Sequence, residues 1–453
     1  MKKFIVIIYT VLIALPAVTG IDACNTKKDY AEIFKDPFLY CQTVHELNTV
    51  VMGNNFSPIV ASRNYLYANI AAYEVIAAGY PKQYYSLAGQ INGLKSVPKP
   101  DTAKEINYEF ASLMAFCTLG ESVTFPKGSM NTYIDGLKNL AKQHGMPSQV
   151  FENSLQYADT LSNVIMVWSI KDNYAETRSM NRYSVMMDVP GRWVPTPPAY
   201  ADAMEPNWNL IRPIVLDSAG QFCPPPPFTF NVTNKNSAYF KQVKQMLDTT
   251  KNLTEEQKDI SDFWDDNPFK LNVNGHLMYA TKKFSPPGHW MSIVGIAAKK
   301  VKADYSTTVY AYTKTAIALF DSFIQCWDEK YRHSTVRPET VINKYFDQNW
   351  QPHLQTPPFP EYTCGHSTGS SAAAAVLTSV FGDNLAYTDT SELEFGIKSR
   401  SYTSFKEAAI ENSRGRFYGG LHFHPTCIIS YEYGKKVGEL VVNRLEMKKI
   451  HHT

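Results

Sequence analysis

The chain has 453 residues, with 44 Lys and Arg against 42 Asp and Glu, for a formal net charge of +2. A balance this close projects no long-range field toward nucleic acid, and that class of partner is excluded. The 44% hydrophobic content, with 28 Tyr and 24 Phe, is ample for a sizeable core, and the length alone admits two or three domains or one large helical unit.

Met1-Lys-Lys3 and the apolar Phe4 to Val18 read as the basic and hydrophobic regions of an export signal, too short for a membrane span. Ile21-Asp-Ala-Cys24 resembles a loose bacterial lipoprotein box. It predicts a signal over 1–23 and a lipid on Cys24, with ordinary cleavage near Gly20 as the alternative. The expected location is the bacterial cell envelope or the medium, and the only membrane contact expected is that lipid. Cys41, Cys117, Cys223, Cys326, Cys364 and Cys427 show no C-x-x-C spacing, so no structural zinc is expected. Export is compatible with one or two disulfides whose pairing the sequence leaves open.

From Asp29 to about Ile170, apolar residues recur at helical spacing. Ser57-Pro58 caps a helix over Ile59 to Ala78, and further helices are predicted over Asp101 to Leu119, Lys127 to His144 and Pro147 to Ser169. Pro190-Gly-Arg-Trp-Val-Pro-Thr-Pro-Pro198, Pro206, Pro213 and Pro224 to Pro227 then break the rhythm. So long an irregular connection with Trp193, Trp208 and Ile211 in it reads as a packed cover over a site. Helices resume from Ser237 to about Trp264, from Pro286 to Val301 and from Asp304 to about His333. The predicted organisation is an N-terminal helical part over 24–172, a Pro-rich cover over 173–235 and a C-terminal helical part over 236–453. Strand patterns are scarce, and the chain reads as mainly α-helical.

Three clusters in the last third carry the chemistry. Lys330 and Arg337 are seven apart, and a helix running on to Pro338 would set both cations on one stripe, able to bridge oxygens of an oxyanion. Gly365-His366 opens a small-residue helix, whose first N–H groups are anion donors and whose Gly lets an oxyanion approach the backbone. His366 would stand beside that anion as a proton donor or acceptor. Arg416 and His422 flank a double-glycine turn, and the imidazole could attack phosphorus or ligate a metal oxyanion. Singly, each has a bland reading as a helix end, a cap or a satisfied interior His; together they describe an anion cage.

Lys-x₆-Arg-Pro, Gly-His-Ser and Arg-x₅-His resemble the three-part signature of type 2 phosphatidic acid phosphatases, bacterial acid phosphatases and vanadium-dependent haloperoxidases. Cys326-Trp-Asp-Glu-Lys330, Thr356-Pro-Pro-Phe-Pro-Glu-Tyr362, Tyr418-Gly-Gly-Leu-His422, Trp193 to Pro198 and Pro287-Gly-His-Trp290 look like the exported haloperoxidase-like branch. The resemblance centres on 321–443 and implies an all-α fold, a large helical bundle that carries the site. It implies Lys330, Arg337, Arg416 and the Gly365 N–H as holders of vanadate, His422 as the vanadium ligand and His366 as the acid–base group. Vanadate, halide and hydrogen peroxide would then be the small-molecule partners, with hypohalous acid as product. The alternative is an acid phosphatase with no cofactor, in which the cage binds phosphate and His422 becomes phosphorylated. A third reading is a non-catalytic oxyanion binder.

Three positions depart from the pattern. Cys364 stands where Ser is usual, giving a weak donor whose pKa should fall at a cationic helix N-terminus and which is exposed to oxidation. Gly415 replaces Ser, and Thr426 replaces the Asp that orients the ligand His in many relatives, so His422 needs another partner. Trp327, His289 and His424 are the remaining candidates to line the pocket.

Overall fold

The structure is a computed structural model and describes residues 30–268, 270–274 and 277–449, with side chains from 271 to 281 excluded. The export signal and the lipidation expected at Cys24 lie outside the described residues. In the N-terminal half, α1 (Tyr30–Phe34), α2 (Pro37–Gly53), α3 (Pro58–Gly79), α4 (Tyr108–Val123), α5 (Asn131–Gln143), α6 (Ser148–Ser169) and α7 (Tyr174–Thr177) precede the irregular stretch. The C-terminal half holds α8 (Ala238–Thr250), α9 (Glu255–Phe263), α10 (Pro286–Val301), α11 (Tyr305–His333), α12 (Pro338–Tyr345), α13 (Gly365–Phe381), α14 (Phe405–Tyr418) and α15 (His424–Arg444). Two antiparallel ribbons complete it: β1 (Lys270–Asn274) with β2 (Leu277–Thr281), and β3 (Tyr387–Asp389) with β4 (Arg400–Tyr402). No helix among the described residues is long and apolar enough to cross a membrane. The expected all-α bundle is what the chain forms.

Local chemistry sets the ends of these helices. Ser57 accepts from the Val60 N–H and Pro58 opens α3, while Asp304 accepts from the Thr307 N–H at the start of α11. The helix predicted from Asp101 starts late: Asp101 to Asn107 is not helical because Asn107 is the cap that accepts from the Phe110 N–H. The segment predicted from Ser237 to Trp264 is split at Lys251 to Leu253, where Thr254 and Gln257 form a capping box that begins α9.

Both halves share a main core that runs from Phe34 to Met447, and α8 and α12 close a second cluster with Cys364, Phe417 and Phe423. The long α11 is the axis of the main core, buried along most of its length and packed against α3, α13 and α15. The small-residue α13 lets α15 come in closely: a Cβ on Gly434 would sit 2.1 Å from the Thr368 carbonyl oxygen.

Between α7 and α8 the chain has one short 3₁₀ turn, Trp208–Leu210, yet it is firmly anchored. Trp193, Trp208 and Ile211 are buried, and the Ile214, Val215 and Leu216 N–H groups donate to the buried Asp321 carboxylate of α11 at 2.7, 2.7 and 2.9 Å. The Trp193 N–H donates to the Ser334 carbonyl at 2.8 Å, and the Met204 N–H to that of Pro358 at 2.9 Å. All six described cysteines are free thiols, so the disulfides admitted from sequence are not formed among them.

Candidate active site

Lys330 lies one turn before the end of α11 and is fully buried. Its ammonium donates to the carbonyls of Pro360 (2.8 Å), Glu361 (3.3 Å) and Thr363. With those three bonds made, it offers the site a charge, not a free N–H. Burial, then the neighbouring Arg337, pull its pKa down to about 8.

Arg337 does not share a helical stripe with Lys330. Helix α11 ends at His333, Ser334 turns left-handed at φ 50°, and Arg337 arrives as the N-cap of α12. Pro338 therefore opens a helix where the sequence reading had it close one; a first-turn Pro fits because its missing N–H has no intrahelical role there. Arg337 Nε donates to the Phe359 carbonyl at 2.7 Å and Nη1 to that of Leu421 at 2.9 Å. Nη1 is also 3.1 Å from His422 Nε2, and the buried Nη2 has no partner.

At the start of α13, Cys364 is the N-cap residue and Gly365 the first helical one. A Cβ on Gly365 would meet Trp327 at 3.4 Å and Phe323 at 3.6 Å, so the glycine also serves the close contact with α11. His366 hydrogen-bonds the Asp265 main chain, while its buried Nε2 is without a partner and lies 3.9 Å from Asp266 Oδ2. Burial, then the Arg416 charge, holds its pKa well below the ordinary imidazole value. A cavity of about 490 Å³ reaches His366 and Arg416 past Asp265, Asp266, Met204 and Phe359, so the Pro-rich stretch does wall the way in.

Arg416, in the last turn of α14, donates through Nη1 to the carbonyls of Trp264 (2.8 Å) and Asp265 (3.2 Å), and its buried Nε is unpartnered. Gly415 lets α14 lie against α9: its Cβ would be 3.4 Å from the Ile260 carbonyl oxygen, and its own carbonyl accepts from Ser261 at 3.1 Å.

The partner that His422 needs is Glu361, a buried residue that the sequence reading quoted only as part of a flank. Its Oε1 lies 3.3 Å from His422 Nδ1, close enough for an ion pair though the geometry is not that of a hydrogen bond, and accepts from the Phe423 N–H at 3.1 Å, while Oε2 accepts from Thr426 Oγ1 at 3.2 Å. Thr426 thus acts through Glu361. A carboxylate at Nδ1 and an Arg337 donor at Nε2 together favour the tautomer with its proton on Nδ1 and a lone pair on Nε2. A sole acid closing the Pro-rich run Thr356-Pro-Pro-Phe-Pro-Glu361 was the available signal.

Cys364 has the lowered pKa that its position suggested, by a different route. Burial pushes the thiol up, but its hydrogen bond with Cys427 and the proximity of His422 and His366 outweigh this and leave it well below the ordinary value. Cys427, its neighbour, is pushed well above by burial and by Cys364. None of the three expected lining residues borders that cavity, though Trp327 packs behind Gly365 and under the Lys330 ammonium, 5.5 Å from its ring centroid. Trp327 is buried, with its indole N–H on the Met204 carbonyl at 3.2 Å; His289 is enclosed by carboxylates; His424 opens α15 with its ring 5.2 Å from that of Phe417.

Arg416 depresses the protonation of Arg337 and His366, Arg337 that of Lys330, and unpartnered N–H groups of Arg337 and Arg416 are buried among them. Such a set is short of an anion, and a tetrahedral oxyanion fits it. The model of a family described as the VCPO second helical-bundle domain matches residues 310–449. A structure titled the first bacterial vanadium-dependent iodoperoxidase is 44% identical, with 92% of this chain and 98% of that one covered and a TM-score of 0.86. The chain belongs to the vanadium-dependent haloperoxidases. Holo and apo bacterial vanadium-dependent chloroperoxidases share the fold at 17% and 18% identity and a TM-score of 0.63, covering 87% and 86% of this chain and 93% and 94% of theirs. No curated protein matches the chain. For a haloperoxidase of this family the cofactor implied is vanadate, and the cationic pocket has the donor chemistry to take it.

Proposed function

We propose that this chain oxidises halide, iodide foremost, with hydrogen peroxide on vanadate held at His422. The observation that carries the reading is the cage of buried cations and unpartnered donors around His422, in a chain 44% identical over nearly its whole length to an iodoperoxidase. Vanadate supplies Lewis-acid activation of the bound peroxide. The chain's own residues do the rest. Glu361, beside Nδ1, would leave the Nε2 lone pair of His422 for vanadium, and the unpartnered Nη2 of Arg337 and Nε of Arg416 would donate to the oxyanion. Lys330 adds charge, and Gly365 offers its N–H at the helix start. His366, neutral at pH 7, accepts the proton that peroxide gives up and returns it to the oxygen that leaves as water or hydroxide. The covered cavity limits water around these charges and so strengthens each of them. The basic N-terminus and apolar 4–18 run support action outside the cytoplasm, with Cys24 as the tether.

The phosphatase reading gains one observation: Cys364 is penalised less where no oxidant is present. Replacing His366 by Ala and His422 by Ala separates the readings. The haloperoxidase reading predicts that halide oxidation falls with His366→Ala while vanadate stays bound, and that His422→Ala loses vanadate as well. A phospho-enzyme trapped by acid quench with a phosphate ester, and absent in His422→Ala, would favour the phosphatase.

A further inference from the structure

Behind His366 lies a second charged cluster that the reaction as described does not use. His289, near the start of α10, is fully buried with both ring nitrogens on carboxylates: Nδ1 is 2.8 Å from Asp266 Oδ1 and Nε2 is 3.0 Å from Asp389 Oδ2. Each contact is best served by an N–H, so both nitrogens carry protons and the ring is a cation. It stacks on Trp264 at 4.6 Å between ring centroids and 23° between planes, a further favourable setting for a charged ring. Asp389 is fixed in turn by the N–H and hydroxyl of Ser391, at 3.0 and 2.6 Å.

The other end of this chain of contacts points at the site. Asp266 has φ +44°, a left-handed conformation that is uncommon outside Gly and concentrates at functional sites. It turns one carboxylate oxygen to His289 and leaves the other unpartnered, 3.9 Å from the unpartnered Nε2 of His366. An isolated carboxylate at that distance would hold a proton on His366. Burial and the Arg416 charge oppose that, and the His289 ring, 2.8 Å from the other oxygen of Asp266, stands where an imidazolium offsets the carboxylate as well.

We propose that His289 is a positioning residue for the acid–base histidine: as an imidazolium clamped between Asp266 and Asp389, it offsets the carboxylate that faces His366 and so keeps His366 a neutral base. The proposal rests on His366 having that acid–base role. The charged and titratable groups around the clamp are consistent with it. Asp265 comes from the same loop as Asp266, Lys270 reaches Asp265 at 3.7 Å from β1, and Lys283 follows β2. Arg416 and His366 face it from α14 and α13. Glu392, 3.8 Å from His289 Nδ1, has its pKa pushed up, mainly by burial, which favours its neutral form. The clamp's own balance is therefore two carboxylates against one imidazolium, with the lysines and Arg416 near its open side.

The test reads protonation directly, on full-length protein without vanadate and labelled with ¹⁵N-histidine, and needs no turnover. His366 is assigned from the signals lost in His366→Gln, and His289 from those lost in His289→Gln. In the wild type, both His289 nitrogens should show imidazolium shifts up to pH 8. In His289→Gln, the His366 midpoint should move up by at least about one pH unit, a tenfold gain in proton affinity. Adding Asp266→Asn to that variant should remove the upward move. A neutral His289 in the wild type at pH 7 overturns the proposal, even if His289→Gln fails to fold. So does an unchanged His366 midpoint in a folded His289→Gln, or an equal rise in the double variant. In active protein, the acid limit of kcat/KM should move with the His366 midpoint. Where the midpoint moves and no halide is oxidised, the proton arrangement stands and the haloperoxidase reading is what fails.

Discussion

Glu361 offers the sharpest test of how the ligand histidine is held. Its carboxylate accepts from the Phe423 N–H and the Thr426 hydroxyl and faces His422 Nδ1 at 3.3 Å, all in a buried setting. Glu361→Gln keeps the shape and removes the charge. A hydrogen bond to a charged group contributes about 1.5–3 kcal/mol and a neutral one about half as much. The amide can also satisfy His422 only by its carbonyl, and in the other orientation it favours the wrong tautomer. The loss at His422 is then about 0.8–1.5 kcal/mol, or about 4–12-fold in vanadate affinity. Calorimetric titration of vanadate into metal-free wild type, Glu361→Gln and His422→Ala measures this, with thermal melts to confirm folding. An affinity within about twofold of wild type in Glu361→Gln would refute the claim that Glu361 orients the ligand.

Further outcomes follow from the same geometry. Cys364→Ser should sustain halide oxidation through repeated peroxide additions that progressively inactivate the wild type, with intact-mass shifts at Cys364 tracking the loss. Lys330 is charged only below about 8, so vanadate affinity should fall as pH rises through that value, and Lys330→Met should flatten the dependence. The sign for stability is opposite: its folded pKa lies below the ordinary 10.5, so the cost of burying the ammonium is present below about 8 and disappears between about 8 and 10.5. Asp321→Ala leaves three buried N–H groups of the cover unpartnered, which should cost about 3–5 kcal/mol and speed limited proteolysis within 178–236.

The sequence made the fold class and most of the cage legible because both are carried by local signals. Cap residues and helical spacing announce α3, α10, α11 and α13, and Lys330, Arg337, His366, Arg416 and His422 stand at fixed intervals in three short motifs. What stayed hidden depends on approach in space. Glu361 reaches His422 from 61 positions away in the chain, through a loop whose acid looks like any other. Asp266 and Asp389 meet His289 from separate elements, and nothing in Pro-Pro-Gly-His-Trp says that its histidine turns away from the cavity. The Pro338 reading failed because a proline after a helix and a proline opening the next one look alike in sequence. The Cys364 thiol was read against lysine and arginine, while its nearest neighbours proved to be Cys427 and His422.

The most direct measurement is reconstitution of the metal-free protein with vanadate, followed through iodide and bromide oxidation by hydrogen peroxide with phosphate as competitor. Turnover that requires vanadate, is suppressed by phosphate and disappears in His422→Ala is the predicted result. Halide oxidation that is indifferent to vanadate, or its absence alongside hydrolysis of a phosphate ester that vanadate inhibits, would contradict the account.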